Sequence, residues 1–255
     1  MKYNEALLTL AEVTASQWGM VTSAQAAELG VSRLQLSRLT DAGQLIRVTQ
    51  GVYMDTGAPS TQFDDLRATW LSTMPQVLAQ ERIVSMIDDV VVASTSAAFL
   101  HGIGDFWADR HEFVAANRRQ TQRKELRYRQ RNLMREDLVL VEGLPAMTVE
   151  RALADLVEDV SELSLIANAL RDASRRRNLD FARLEVLLKR LAARNGLPKN
   201  DGQALLEHLK QLAGIDDETR ARRIASDWSL GPRVAKYYEE AAQSVAKQLN
   251  SNASD

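Results

Sequence analysis

The tightest constraint on this chain is the punctuation of residues 20–54, where glycines cut off one short segment after another. Upstream of it, Leu8, Ala11, Ala15 and Trp18 recur at helical spacing and Gly19 ends the run. Thr22 or Ser23 then caps a second helix running to Leu29, and Gly30 stops it within two turns. Ser32 caps a third, which extends to about Ala42 and closes at Gly43. Gln44–Val48 and Gly51–Met54 are β-branched and aromatic runs around Thr49-Gln50-Gly51, the pattern of a hairpin. Three short helices followed at once by a hairpin is the order of a winged helix-turn-helix.

Gly57-Ala58-Pro59-Ser60 is expected to be a linker. Beyond it, 63–74, 75–86 and Ser94–His101 are expected as helices, and His111–Ala115, Glu125–Arg131 and Leu138–Val141 as strands. Gly143-Leu144-Pro145 is expected as a turn, and Thr148 as the cap of a helix through Val157. The remainder is expected to be helical over 161–177, 180–194, 201–213, 217–228 and 233–249. In the last helix Val234, Tyr238, Ala241, Val245 and Leu249 form one apolar stripe. The expected fold class is α+β, mostly helical. A winged helix-turn-helix over 1–56 precedes a mixed α/β domain over 61–160 and a helical C-terminal region over 161–255.

Composition narrows the function classes. Lys plus Arg is 32 against 34 Asp plus Glu, so net charge makes no case for nucleic acid, although a near-neutral sum can hide local patches. There is no cysteine, which removes disulfides, thiolate metal sites and a cysteine nucleophile. With three histidines the chain has no HExxH, and it has no phosphate-binding glycine loop and no GxSxG elbow. No enzyme activity, cofactor or metal is therefore expected. The amphipathic N-terminus carries Glu5 and Glu12 and does not read as a signal peptide, and Val90–Ala93 is too short to span a bilayer. A cytoplasmic protein without a membrane partner is expected.

A recognition helix must bury one side and offer the other to the major groove. Val31, Leu36 and Leu39 make the inward set, leaving Ser32, Arg33, Leu34, Gln35, Ser37 and Arg38 outward. Arg33 and Gln35 are the residue types that contact guanine and adenine bidentately, and Leu34 could meet a thymine methyl. Arg47, Thr49 and Gln50 belong to the wing, where phosphate or minor-groove contact is expected. Against this, residues 1–56 hold four basic and five acidic side chains, a poor balance for phosphate neutralisation. A protein-interaction module therefore remains open as the alternative.

Residues 110–135 carry nine basic side chains against Glu112 and Glu125. Residues two apart on a strand share a face, so Arg127, Arg129 and Arg131 form one basic row. Such a row calls for an anionic partner, either DNA phosphate or an acidic protein surface. The other reading is a solvated edge strand that discourages edge pairing. Arg151 and Asp155, four apart on one helix, are expected to pair as a structural brace. His101 is expected to be a locally hydrogen-bonded helix-end residue.

Three segments carry a resemblance. Thr22–Ala26, Leu29–Arg33, Gly43–Val48 and Gly51–Tyr53 resemble the N-terminal winged helix of the AbiEi antitoxin family. Ser94–Gly102 and Gly143–Leu156 look like the two signature segments that follow it there. The likeness covers roughly residues 1–160. It implies a protein encoded beside a nucleotidyltransferase-like toxin of the AbiEii type. The winged helix would repress the operon by binding inverted repeats in double-stranded promoter DNA, and the larger C-terminal part would neutralise the toxin. Carried onto this chain, the DNA face is Ser32, Arg33, Gln35, Arg38 and the wing from Arg47 to Gln50. A winged-helix regulator without a toxin partner is the alternative.

Overall fold

The computed structural model describes residues 3–106, 110–176, 179–237 and 239. The expected stripe beyond Val234 lies outside the described residues. Helix α1 (Tyr3–Ser16) leads into a short strand β1 (Met20–Thr22), followed by α2 (Ser23–Glu28), α3 (Arg33–Asp41) and a hairpin of β2 (Leu45–Thr49) and β3 (Val52–Asp55). The three strands form an antiparallel sheet in the order β1-β3-β2, which is the winged helix expected from the sequence. Strand β1 has no signal in the sequence pattern, because its three residues are all buried and show no alternation. The inward set expected of α3, Val31, Leu36 and Leu39, is fully buried with Ala6, Leu10, Val21, Ala26 and Leu45.

A second, five-stranded sheet forms the centre of the molecule. Its strands are β4 (Val91–Val92), β5 (His111–Ala115), β6 (Leu126–Gln130), β7 (Leu138–Val141) and β8 (Leu144–Met147), in the order β6-β5-β4-β8-β7. Pairs β5–β6 and β4–β8 are parallel and the other two antiparallel. Helices α4 (Asp64–Thr73), α5 (Ala79–Val84) and α6 (Ser94–His101) lie between the winged helix and β5 in sequence. After the sheet come α7 (Val149–Asp159), α8 (Leu163–Arg176), α9 (Phe181–Leu188), α10 (Gly202–Ala213) and α11 (Asp217–Ser226). Thr148 caps α7 as expected, accepting from the Arg151 amide.

Two expectations are corrected. Leu144 and Pro145 are strand, not turn: Pro145 lies opposite Leu140, and the reversal is made by Glu142 and Gly143 at φ +52° and +81°. Two consecutive positive φ values are what a tight two-residue hairpin needs. Glycine at 143 also answers to a close approach, since a Cβ there would sit 2.8 Å from the Trp18 ring. The stretch 75–86 is helical only over α5, because its first residues dock on the winged helix instead. The Pro75 carbonyl accepts from the Thr22 hydroxyl, the Val77 carbonyl from Gln25 Nε2 at 3.0 Å, and the Ala79 amide donates to Gln17 Oε1 at 3.2 Å.

The winged helix and the central sheet share one apolar core. Met20, Val52 and Met54 pack with Leu66, Trp70, Leu71, Val91, Phe113 and Leu144. Trp18 meets Trp70 edge-on at 6.2 Å, and the Arg67 guanidinium lies 5.2 Å from the Trp18 ring while donating to the Glu142 carbonyl at 2.9 Å. A further core joins Ile103 and one face of α7 to α8, α9 and α10.

Candidate nucleic-acid interface

Helix α3 begins with a reciprocal cap. The Gln35 amide donates to the Ser32 hydroxyl oxygen at 3.3 Å, and the Ser32 amide donates to Gln35 Oε1 at 2.8 Å. The Ser32 hydroxyl also donates to Gln35 Oε1, at 2.8 Å. This satisfies amides left over at the helix start and commits the Gln35 carbonyl oxygen to its own helix. The outward face of α3 consists of Ser32, Arg33, Leu34, Ser37 and Arg38, all exposed, with Leu34 at 61%. Gln35 is half-buried.

On the wing, Ile46, Arg47 and Gln50 are exposed, and the β2–β3 register slips between Arg47 and Thr49. Among the described residues the side chains of Arg33, Arg38 and Arg47 have no hydrogen bond or ion pair within the chain. Thr49 is held differently. Its hydroxyl accepts from Arg123 Nη2 at 3.1 Å, while Arg123 Nη1 donates to Ser72 Oγ at 2.6 Å and Arg123 Nε to Glu125 at 2.7 Å. Arg123 lies on the loop before β6, so the central region reaches the wing. Arg33, Arg47, Gln50 and Tyr53 together with Ser72 and Arg123 line a cleft of about 550 Å³.

The arginine row of β6 lies elsewhere and has its anions within the chain. Arg127 pairs with Glu112 on the adjacent strand at 2.9 Å, and Arg129 pairs with Asp159. Arg131 reaches Asp155 at 3.0 Å and Glu158 at 2.7 Å. Asp155, Glu158 and Asp159 form an acidic stripe at i, i+3, i+4 along α7, and Arg129 and Arg131 lie against that stripe. Carboxylates near a helix C-terminus oppose the helix dipole, and the row offsets them. The row is therefore accounted for without an external anion.

Titration properties follow from burial. Burial pushes the fully buried Asp155 carboxyl up to about 6, against the pull of Arg131 and Arg129. Burial works the same way on Glu112, but hydrogen bonds from Thr95 and Ser94 and the charge of Arg127 hold its carboxyl below the ordinary range. The expected brace is present, with Arg151 donating to Asp155 through Nε at 3.0 Å and Nη2 at 2.7 Å. His101 is buried, and its Nε2 donates to the Met147 carbonyl at 2.7 Å, a partner on β8 rather than a local one.

Against known proteins, residues 9–54 match the family model described as "Transcriptional regulator, AbiEi antitoxin". The match is confined to that stretch. That stretch holds most of the winged helix and the whole of the outward face of α3, so the resemblance seen in Thr22–Tyr53 is borne out there. The fold of most of the chain resembles the crystal structure of the RV2827C protein from Mycobacterium tuberculosis. The likeness covers 86% of this chain and 80% of that one, with a TM-score of 0.50 and 17% identity, and at that identity it speaks for fold alone. Among curated proteins none matches the sequence. No described helix is long and apolar enough to cross a membrane.

Proposed function

We propose that this chain is the antitoxin and autorepressor of a toxin–antitoxin pair. Its AbiEi-type module binds inverted repeats in its own promoter, and the part beyond Pro59 neutralises a nucleotidyltransferase-like toxin encoded beside it. The observation that carries the DNA half is the outward face of α3 and the wing. Arg33, Arg38 and Arg47 are charged, exposed and unpaired, which suits contact with base edges and phosphates. Arg33 and Arg38 are the base-reading candidates, with Leu34 and Ser37 beside them, while Gln35 serves α3 as a cap. Neither catalysis nor a cofactor has a role in this account.

The two halves are separated by substitution rather than deletion, because Met20, Val52 and Met54 are part of the central core and removing 1–56 would open it. Cells expressing the adjacent gene are grown with the whole chain or with its Arg33→Ala/Arg38→Ala variant. Rescue by both, with loss of promoter repression only in the variant, supports the proposal. A harmless adjacent gene, or no rescue by either form, leaves a winged-helix regulator without a toxin partner.

A further inference from the structure

The cleft beside the wing is a joint construction. Arg33 comes from the first turn of α3 and Arg47 from β2, whereas Arg123 belongs to the loop between β5 and β6, far along the chain from both. No carboxylate lines it, and Arg33 and Arg47 have no partner among the described residues. Arg123 does carry an acid at its edge, the Glu125 carboxylate on Nε. Three of its five N–H donors are used, on Glu125, Ser72 and Thr49, which leaves two. In the β6 row, by contrast, each guanidinium faces a carboxylate. Two uncompensated guanidinium groups beside a third that is paired only at its Nε edge raise a positive potential, and their fork geometry suits the oxygens of a phosphate.

We propose that this cleft is a phosphate-binding site completed by the central region, with Arg33, Arg47 and Arg123 as its ligands. The phosphate is supplied either by the backbone of duplex DNA, which rests on the DNA-binding function proposed above, or by a free phosphorylated molecule. In the first case the central region takes part in operator binding. The contacts of Arg123 with Thr49 and Ser72 fix the wing against that region, so the guanidinium is in place before the ligand arrives.

The test uses the full chain. Binding to a fluorescent duplex carrying the promoter inverted repeat is measured by anisotropy between about 50 and 200 mM KCl. The proteins are the wild type, Arg123→Ala and Arg123→Lys. In parallel, inorganic pyrophosphate is titrated while the arginine Nε–H signals are followed by NMR. With DNA as the source, Arg123→Ala weakens binding roughly tenfold and lowers the salt slope by about one phosphate. Arg123→Lys keeps the slope although it loses the bonds to Thr49 and Ser72, which a purely structural role would not allow. With a free molecule as the source, pyrophosphate shifts the Arg123 signal in wild type and not the bound-state signals of Arg123→Ala, and the DNA slope is unchanged. If wild type binds DNA, Arg123→Ala leaves affinity and slope intact and pyrophosphate moves no arginine signal, the site is refuted and DNA binding stands. If wild type fails to bind DNA, that function falls, and the pyrophosphate arm alone decides the site.

Discussion

Replacing Arg131 by alanine is expected to unfold the chain more easily, and by an amount set by what the guanidinium touches. Arg131 is 17% exposed and holds two carboxylates, Asp155, whose side chain is wholly buried, and Glu158, which is 31% exposed. Breaking a buried pair by removing one partner costs about 3–5 kcal/mol, because the remaining charge is left in a poor solvent. Arg151 stays on Asp155, which puts Arg131→Ala at the lower end, about 3 kcal/mol. The same substitution at Arg127, itself 39% exposed, leaves Glu112 buried at 7% exposure but still hydrogen-bonded to Thr95, and should cost less, about 1–2 kcal/mol. Urea unfolding of both variants, with the slopes compared to exclude a change in the unfolded state, measures the two costs. Equal and negligible losses at both positions would refute the assignment of the row to internal bracing. A loss of DNA or toxin binding without a loss of stability would restore it as a contact surface.

Other consequences are as specific. Gln35→Ala should lower stability by about 1 kcal/mol through loss of the cap while leaving operator preference intact; a change in the preferred base at one operator position would show that Gln35 reads sequence. Leu36→Ala, at a fully buried position, should cost roughly 2–5 kcal/mol, whereas exposed Leu34→Ala should cost under about 0.5 kcal/mol and act on DNA affinity instead, as thermal unfolding beside anisotropy would reveal. The Asp155 carboxyl carbon should titrate by NMR with a midpoint near 6. Since its folded value lies above the ordinary 3.8, the folded chain holds a proton there that the unfolded chain releases. Its contribution to stability is full below about 4 and declines as pH rises through 6. A midpoint at or below 3.8 would contradict the part assigned to burial.

The winged helix was legible because its signals are local. Ser32 with Gln35 three residues on is a capping box, and Gly30, Gly43 and Gly51 each stand where the backbone turns to positive φ. The same locality explains the misses. Thr22 caps α2 through its own helix, but nothing near it in sequence announces the Pro75 carbonyl that draws 75–78 out of the helical state. The anions that Arg129 and Arg131 meet lie on α7, thirty residues from Arg129 in the Asp159 pair. An i, i+3, i+4 acidic stripe at 155, 158 and 159 was the one signal that could have found them. Residue type points Gln35 toward a base edge, while its spacing from Ser32 equally suits the cap that the structure shows. Arg123 was visible only as one of nine basic residues, because its place beside Thr49 depends on how the central region docks.

The most direct test of the central claim is anisotropy of the full chain on its promoter inverted repeat, alongside a scrambled duplex and the Arg33→Ala/Arg38→Ala variant. The account predicts preference for the repeat, affinity that falls as salt rises, and loss of that preference in the variant. Binding that ignores sequence, or a variant that discriminates as well as wild type, would contradict it.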